Sequence, residues 1–219
     1  DDLEDFLRNL HEYAKVKEVL VVAGGKRKPI GDLYNSMQIL NSGLLQKYQI
    51  SKVGVAGHPE GSPDINNDDI AIALENKNIW SEKEGIPVYI ETQFAFDAKP
   101  VLEWEKNIRI AGNKLHIHAG IPGPATIKTL FQFAKSSGVG NSIKMLTKQA
   151  MNITKLLTIQ APDKFIYGLA KGMEEDKNCL IKQFHFYPFG GFNKTAEWVK
   201  SIENGSFVLD NLSGFKIKN

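Results

Sequence analysis

Residue types able to do chemistry recur in this sequence where short apolar runs end. The segments are Ala23 Gly24 Gly25 Lys26, Ala56 Gly57 His58 Pro59 Glu60, Thr92 Gln93 Phe94, Ala119 Gly120 Ile121 Pro122 Gly123 Pro124 and Tyr187 Pro188 Phe189 Gly190 Gly191. Glycine has no Cβ, so backbone N–H groups there approach a planar or phosphorylated ligand closely. Gly24, Gly25 and Gly57 suit that use and equally suit tight strand-to-helix turns. Lys26, Arg27 and Lys28 form a short basic run that either meets phosphate or lies in a solvated loop. Gln93 is the most informative single residue, because a carboxamide at a strand end both donates and accepts. It can therefore read an amide-like ring edge such as that of a flavin or pterin; the alternative is a buried structural glutamine. Asp97 is expected to cap the helix that follows. His116 and His118, two apart on one strand, share a face, and with His58 and His185 they sketch the metal cluster of a barrel hydrolase. No clear strand-end Asp or Lys completes such a cluster. His11 is expected to be exposed on an opening helix.

The elements that must position these residues are short strands, each followed by a stretch of helical periodicity. That is the pattern of repeated βα units around a parallel sheet. Strands are predicted at Val19 to Ala23, Val53 to Ala56, Val88 to Phe94, Leu115 to Gly120 and Gln183 to Tyr187, with a weak one near Val139. Apolar residues spaced by three or four mark helix faces at Leu33, Met37, Leu40 and Leu44, at Val101, Trp104, Glu105 and Ile108, and at Ile127, Leu130, Phe131 and Ala134. Pro124 suits the first turn of the last of these helices and Gly138 its end. Phe133 falls well off that helix's apolar stripe and is available to stack on a ligand ring or to lie partly exposed. The stretch from Val139 to Glu175 fits two or three short helices, and the tail after Asn204 a turn with a final strand or loop. A single domain over residues 1–219 is expected, of (β/α)8 TIM-barrel type. The predicted strands fall short of eight, and the chain opens on a helix, Leu3 to Tyr13, as though a strand preceded it.

Bulk composition narrows the function classes. With 27 basic and 25 acidic residues interspersed and a formal charge of +2, the chain has no polyelectrolyte face for a nucleic acid. No run of about 18 apolar residues suggests a membrane span, and the start Asp1 Asp2 Leu3 Glu4 Asp5 is acidic where a signal peptide would be basic. The lone Cys179 forms no intrachain disulfide, which fits a reducing compartment, and a cytoplasmic location is expected.

Three segments together resemble the methylenetetrahydrofolate reductase family, especially an alphaproteobacterial-like branch. They are Gly54 Val55 Ala56 Gly57 His58 Pro59 Glu60, Thr92 Gln93 Phe94 Ala95 Phe96 Asp97, and Phe184 His185 Phe186 Tyr187 Pro188 Phe189 Gly190 Gly191. The resemblance runs in order over nearly the whole chain. It implies a (β/α)8 barrel holding FAD at its C-terminal face and reducing methylenetetrahydrofolate to methyltetrahydrofolate with electrons from NADH or NADPH. In such a protein the nicotinamide passes hydride to the flavin, which passes it to the folate methylene carbon.

Carried over by position, the resemblance implies that Ala23, Gly24 and Gly25 lie against the flavin, and Tyr34 and Ser36 near its adenosine and phosphate portion. Ala56, His58 and Ser62 would continue the cofactor wall, and Asp69 and Lys77 would meet the ribityl and phosphate part. Gln93 would address flavin and folate, and Thr129 and Phe133 the substrate, Phe133 by stacking. Gly25 stands where the family usually places aspartate, Ser62 where histidine is usual, and Thr129 where some members have glutamine. The family's proton-donating glutamate ends its first strand, and the sequence aligns as though it begins after the second. Two other readings follow: a folate-binding or methyl-transfer member without flavin redox activity, and the metal-dependent hydrolase sketched above. An incomplete barrel would expose edges that self-association into a homo-oligomer would cover.

Overall fold

The computed structural model describes residues 2–22, 31–62, 65–137, 156–210 and 214–218. Its centre is a five-stranded parallel sheet. The strands are β1 (Glu18–Val21), β2 (Lys52–Gly57), β3 (Val88–Phe94), β4 (His116–Pro122) and, after a two-stranded antiparallel piece of β5 (Ala125–Thr126) and β6 (Ile159–Gln160), β7 (Ile181–Tyr187). Their order is β1-β2-β3-β4-β7, parallel throughout. Helices alternate with the strands: α1 (Asp2–Glu12), α2 (Ser36–Leu40), α3 (Leu44–Lys47), α4 (Asn67–Glu84), α5 (Ala98–Ile110), α6 (Ile127–Ser137), α7 (Asp163–Glu175) and α8 (Phe192–Glu203). A terminal hairpin of β8 (Phe207–Asp210) and β9 (Gly214–Ile217) answers the expected turn and final strand.

Side chains alternate across a strand, so one face of each strand meets the helices. That face carries Val53 and Val55, Ile90, Ile117, Ala119 and Ile121, and Ile181. It packs on Leu7, Leu40, Leu45, Trp80, Val101, Leu169 and Trp198 from the helices, forming the main core. A second, smaller core gathers Phe94, Ala125, Leu130 and Ala134 at the C-terminal end of β3. Among charged residues Glu105 is buried on α5; Arg109 binds it through Nε at 2.8 Å, and the Leu180 N–H donates to it at 3.0 Å. The carboxylate that helical spacing assigned to an apolar face is thus buried because it is paired, which is the condition under which burial is tolerated.

Several local expectations are corrected. The run Leu33 to Leu44 is not one helix: Asn35 opens α2 with a capping box to Gln38, and Gly43, at φ +74°, separates it from α3. Leu33 precedes both and is exposed. The third predicted helix begins after Pro124, at Ile127, where the Thr126 hydroxyl accepts from the Thr129 N–H at 3.2 Å. His11 is half-buried, and its Nδ1 is enclosed without a hydrogen-bond partner among the described residues. Asp97 caps α5 as expected, accepting from the Lys99 N–H at 3.1 Å. Gly138 and the weak strand near Val139 lie outside the described residues. No helix among those residues is long and apolar enough to cross a membrane.

Candidate functional site

The other face of the sheet is polar. Period-two alternation places Glu18 and Leu20 of β1, Gly54 and Ala56 of β2, Tyr89 and Glu91 of β3, and His116, His118 and Gly120 of β4 on it. After a register irregularity at Ile117/His118, Gln183, His185 and Tyr187 of β7 join them. Its N-terminal half is filled by Tyr89, which lies across β2. A Cβ at Gly54 would stand 2.6 Å from the Tyr89 ring and hydroxyl, so only glycine admits the ring there. Tyr89 stacks on His118 at 4.0 Å between centroids, and Lys52 sits 4.5 Å from the ring centroid while pairing with Glu18 at 3.0 Å. Burial, reinforced by Glu18, pushes the Tyr89 hydroxyl well above the usual phenol range. Burial also lowers His118, with Lys52 adding to the effect, so its imidazole is held towards the neutral form.

The C-terminal half holds the reactive groups. Glu91 is buried and pairs with His185 Nε2 at 3.1 Å. Tyr187 donates its hydroxyl to the Thr92 carbonyl at 3.0 Å, and the Thr92 hydroxyl accepts from the Gly120 N–H at 2.8 Å. Burial, with the Glu91 charge adding, leaves the Tyr187 phenol pushed up to about 12, so it remains a donor at neutral pH. The β3–β4 register shifts between Glu91 and Phe94. At that irregularity the Gln93 Oε1 accepts from the Phe94 N–H at 3.1 Å. The carboxamide expected to donate and accept is therefore half engaged, and its Nε2 is the group left to donate.

Gly120 is the hinge of this arrangement. A Cβ there would stand 2.5 Å from the Thr92 carbonyl oxygen and 2.9 Å from the Tyr187 ring. Gly120→Ala is expected to destabilise the fold by about 2 kcal/mol, because the nearest atom is backbone and cannot swing aside. Thermal unfolding checks this. Gly31→Ala, with nothing among the described residues within 4 Å of its added methyl, serves as the control and should leave the melting temperature nearly unchanged.

Beside the C-terminal ends of the strands stand the aromatic residues of the second core. Phe189 stacks on Phe133 at 4.2 Å and 17° and meets Phe94 edge-on at 4.8 Å. Phe133 is 40% exposed, so its outer face is available to a ligand ring, as its position off the helical stripe suggested. His58 follows β2, and burial and then the Lys77 charge hold its imidazole towards the neutral form. Lys77, on α4, is buried, and burial lowers its ammonium below the usual lysine range. Among the described residues no carboxylate or hydrogen-bond acceptor partners it.

The remaining sequence-predicted positions distribute unevenly. Ala56 lies on the polar face in register with Glu91. Ser62 is half-buried in the loop after His58. Tyr34 is exposed and Ser36 is the first, buried residue of α2. Asp69 exchanges two bonds with Asn66, receiving from its Nδ2 at 2.7 Å and donating its own N–H at 2.8 Å, which makes it part of the α4 cap. Thr129 shares a hydroxyl bond with Thr126 at 2.9 Å. Among the described residues no hydrogen bond or ion pair joins Tyr34, Ser36 or Asp69 to His58, Lys77 or Gln93. Ala23, Gly24, Gly25 and the basic run Lys26 to Lys28 lie outside the described residues.

Sequence reasoning did not find the Glu91–His185 pair. The alternation of β3, where Tyr89 and Glu91 interleave with Val88 and Ile90, signals the face of Glu91 but not its partner. The four histidines drawn as a metal cluster do not converge: His116 is exposed, His118 is stacked on Tyr89 and His185 is paired with Glu91. Among the described residues no group of three His, Cys, Asp or Glu side chains could hold a metal ion. Comparison with models of known protein families finds no match.

Proposed function

We propose that this chain is an FAD-dependent methylenetetrahydrofolate reductase built on a (β/α)8 barrel, the polar face of its parallel sheet being the barrel interior. The observation that carries the reading is Lys77, a buried ammonium beside His58 with no partner among the described residues. Burying an unpaired cation costs free energy unless an anion arrives to meet it, and a dinucleotide diphosphate is such an anion. The resemblance assigns Lys77 that contact independently of its burial. The other residues present suit the same ligand: Gln93 offers an N–H donor to a ring carbonyl, and Phe133 offers an open aromatic face.

FAD, when bound, supplies the hydride chemistry between NADH or NADPH and the folate. The chain's own residues bind and orient. Lys77 holds negative charge, neutral His58 lines the wall without repelling it, Gln93 fixes a ring edge, and Phe133 on its Phe189 support stacks the second ring. Self-association into a homo-oligomer and a cytoplasmic location belong to the same proposal.

The purified protein is expected to show, or to acquire on incubation with FAD, the visible absorption of a bound flavin, which NADH or NADPH bleaches without oxygen. A colourless protein that takes up no FAD overturns the reading. Calorimetric binding of methyltetrahydrofolate by such a protein would favour the folate-binding alternative.

A further inference from the structure

We propose that Tyr187 is a positioning residue whose hydroxyl locks the end of β3, so that Gln93 presents only a hydrogen-bond donor. The site thereby selects a ring that offers a carbonyl over one that offers an amino group. The inference deepens the functional reading above and takes the identity of the ring from it. It starts from a count along two strands. Glu91 is in register with His118 and Phe94 with Gly120, so three steps along β3 answer two along β4. One residue is therefore surplus, the signature of a β-bulge, a device that re-aims a side chain. The surplus falls on Thr92 and Gln93. Buried backbone groups at such a break still need partners. Here side chains supply them: the Thr92 hydroxyl accepts from the Gly120 N–H at 2.8 Å, and the Tyr187 hydroxyl donates to the Thr92 carbonyl at 3.0 Å.

The bond from Tyr187 reaches Gln93 through covalent geometry. The Thr92 carbonyl shares a planar peptide unit with the Gln93 nitrogen, so holding the oxygen holds the plane from which the Gln93 side chain departs. Gly120 leaves room for that oxygen, which would stand 2.5 Å from a Cβ. Tyr187 is itself braced. Its carbonyl accepts from the Gly123 and Phe189 N–H groups, each at 2.8 Å, and its ring stacks on Phe189 at 5.6 Å and meets Phe94 edge-on at 5.6 Å. At the far end of the series the Phe94 N–H donates to the Gln93 carboxamide at 3.1 Å. Only the oxygen can meet a donor, so Oε1 is occupied and the Nε2 group is what remains for a ligand. A free carboxamide turns over to suit either kind of partner. This one is held, and an incoming amino group meets donor with donor.

Folic acid and aminopterin make the test, since they differ only in that a ring carbonyl of the first is an amino group in the second. By calorimetry the wild type should prefer folic acid by about 10- to 100-fold, the cost of leaving a donor unmet. Tyr187→Phe keeps the ring and removes only the hydroxyl. It should shrink that preference to a few-fold, chiefly by admitting aminopterin, and a preference equal to the wild type's overturns the proposal. Amide hydrogen exchange followed by NMR gives a readout that needs no ligand. In Tyr187→Phe the Phe94 amide should exchange at least about 10-fold faster, while Val55 and Ile117, fully buried in the sheet, keep their protection. Unchanged exchange at Phe94, or equal acceleration at all three, overturns the proposal as well. Gln93→Glu isolates the ring contact: with acceptors only, it should reverse the preference towards aminopterin. A wild type that binds neither pterin nor 5-methyltetrahydrofolate, or a Gln93→Glu protein with the wild-type preference, overturns the functional reading, and exchange at Phe94 still decides the part played by Tyr187.

Discussion

Lys77→Met is expected to weaken FAD binding about 10- to 100-fold while raising the thermal stability of the FAD-free protein. The first effect follows from the loss of a charge-assisted contact to phosphate, typically about 1.5–3 kcal/mol. The second follows from linkage. Burial holds the folded pKa of Lys77 below its unfolded value. Between those two values the unfolded chain binds more protons, so the site's penalty is fully present below the folded pKa and is relieved as pH rises through it towards the unfolded value. The wild type should therefore gain stability relative to Lys77→Met as pH rises through that window. Saturating FAD should reverse the order at neutral pH, since only the wild type has the cation that meets the anion. Thermal melts across pH with and without FAD check both. A Lys77→Met protein that is less stable without FAD and binds it normally would show that the ammonium is satisfied within the fold.

Phe94→Ala is expected to cost about 4 kcal/mol and to lower the melting temperature by about 12 °C. Phe94 is 2% exposed and lies at the centre of the second core, edge-on to Phe96, Tyr187 and Phe189. Its removal leaves a hole beneath Phe189, and Phe189 is the support on which Phe133 stacks. The affinity for folate should fall with the stability, because the aromatic platform loses its floor. Phe133→Ala separates the two effects: at 40% exposure it removes the platform with little loss of fold. Circular dichroism melts and folate titrations distinguish the variants. Equal loss of stability in both would mean that Phe133 is a core residue rather than a ligand surface.

These expectations rest on features of different legibility. β3 was readable from end to end, because Val88 to Phe94 is a continuous apolar-flanked run with turn residues on both sides. β7 was read two residues short, since Lys182 interrupts the apolar run that Ile181 begins. The Leu33 to Leu44 spacing imitated a single helix because periodicity does not register a left-handed Gly43 in its midst. Neither the helix that carries Lys77 nor its burial was read from the sequence: α4 carries apolar residues on more than one side, and nothing local distinguishes a buried lysine from a solvated one. The Glu91–His185 pair depends on the register of three strands across Gly120, a property of the assembled sheet. The alternation of β3 shows only that Glu91 shares a face with Tyr89. Which partner it meets is decided by residues remote in sequence.

The most direct measurement is an anaerobic assay of the FAD-loaded chain with NADH or NADPH and 5,10-methylenetetrahydrofolate, with the folate products separated and identified. The account predicts 5-methyltetrahydrofolate in amounts equal to the nicotinamide oxidised, with formation abolished when FAD is withheld. Nicotinamide oxidation without that product, or no oxidation by a protein that has taken up FAD, would contradict it.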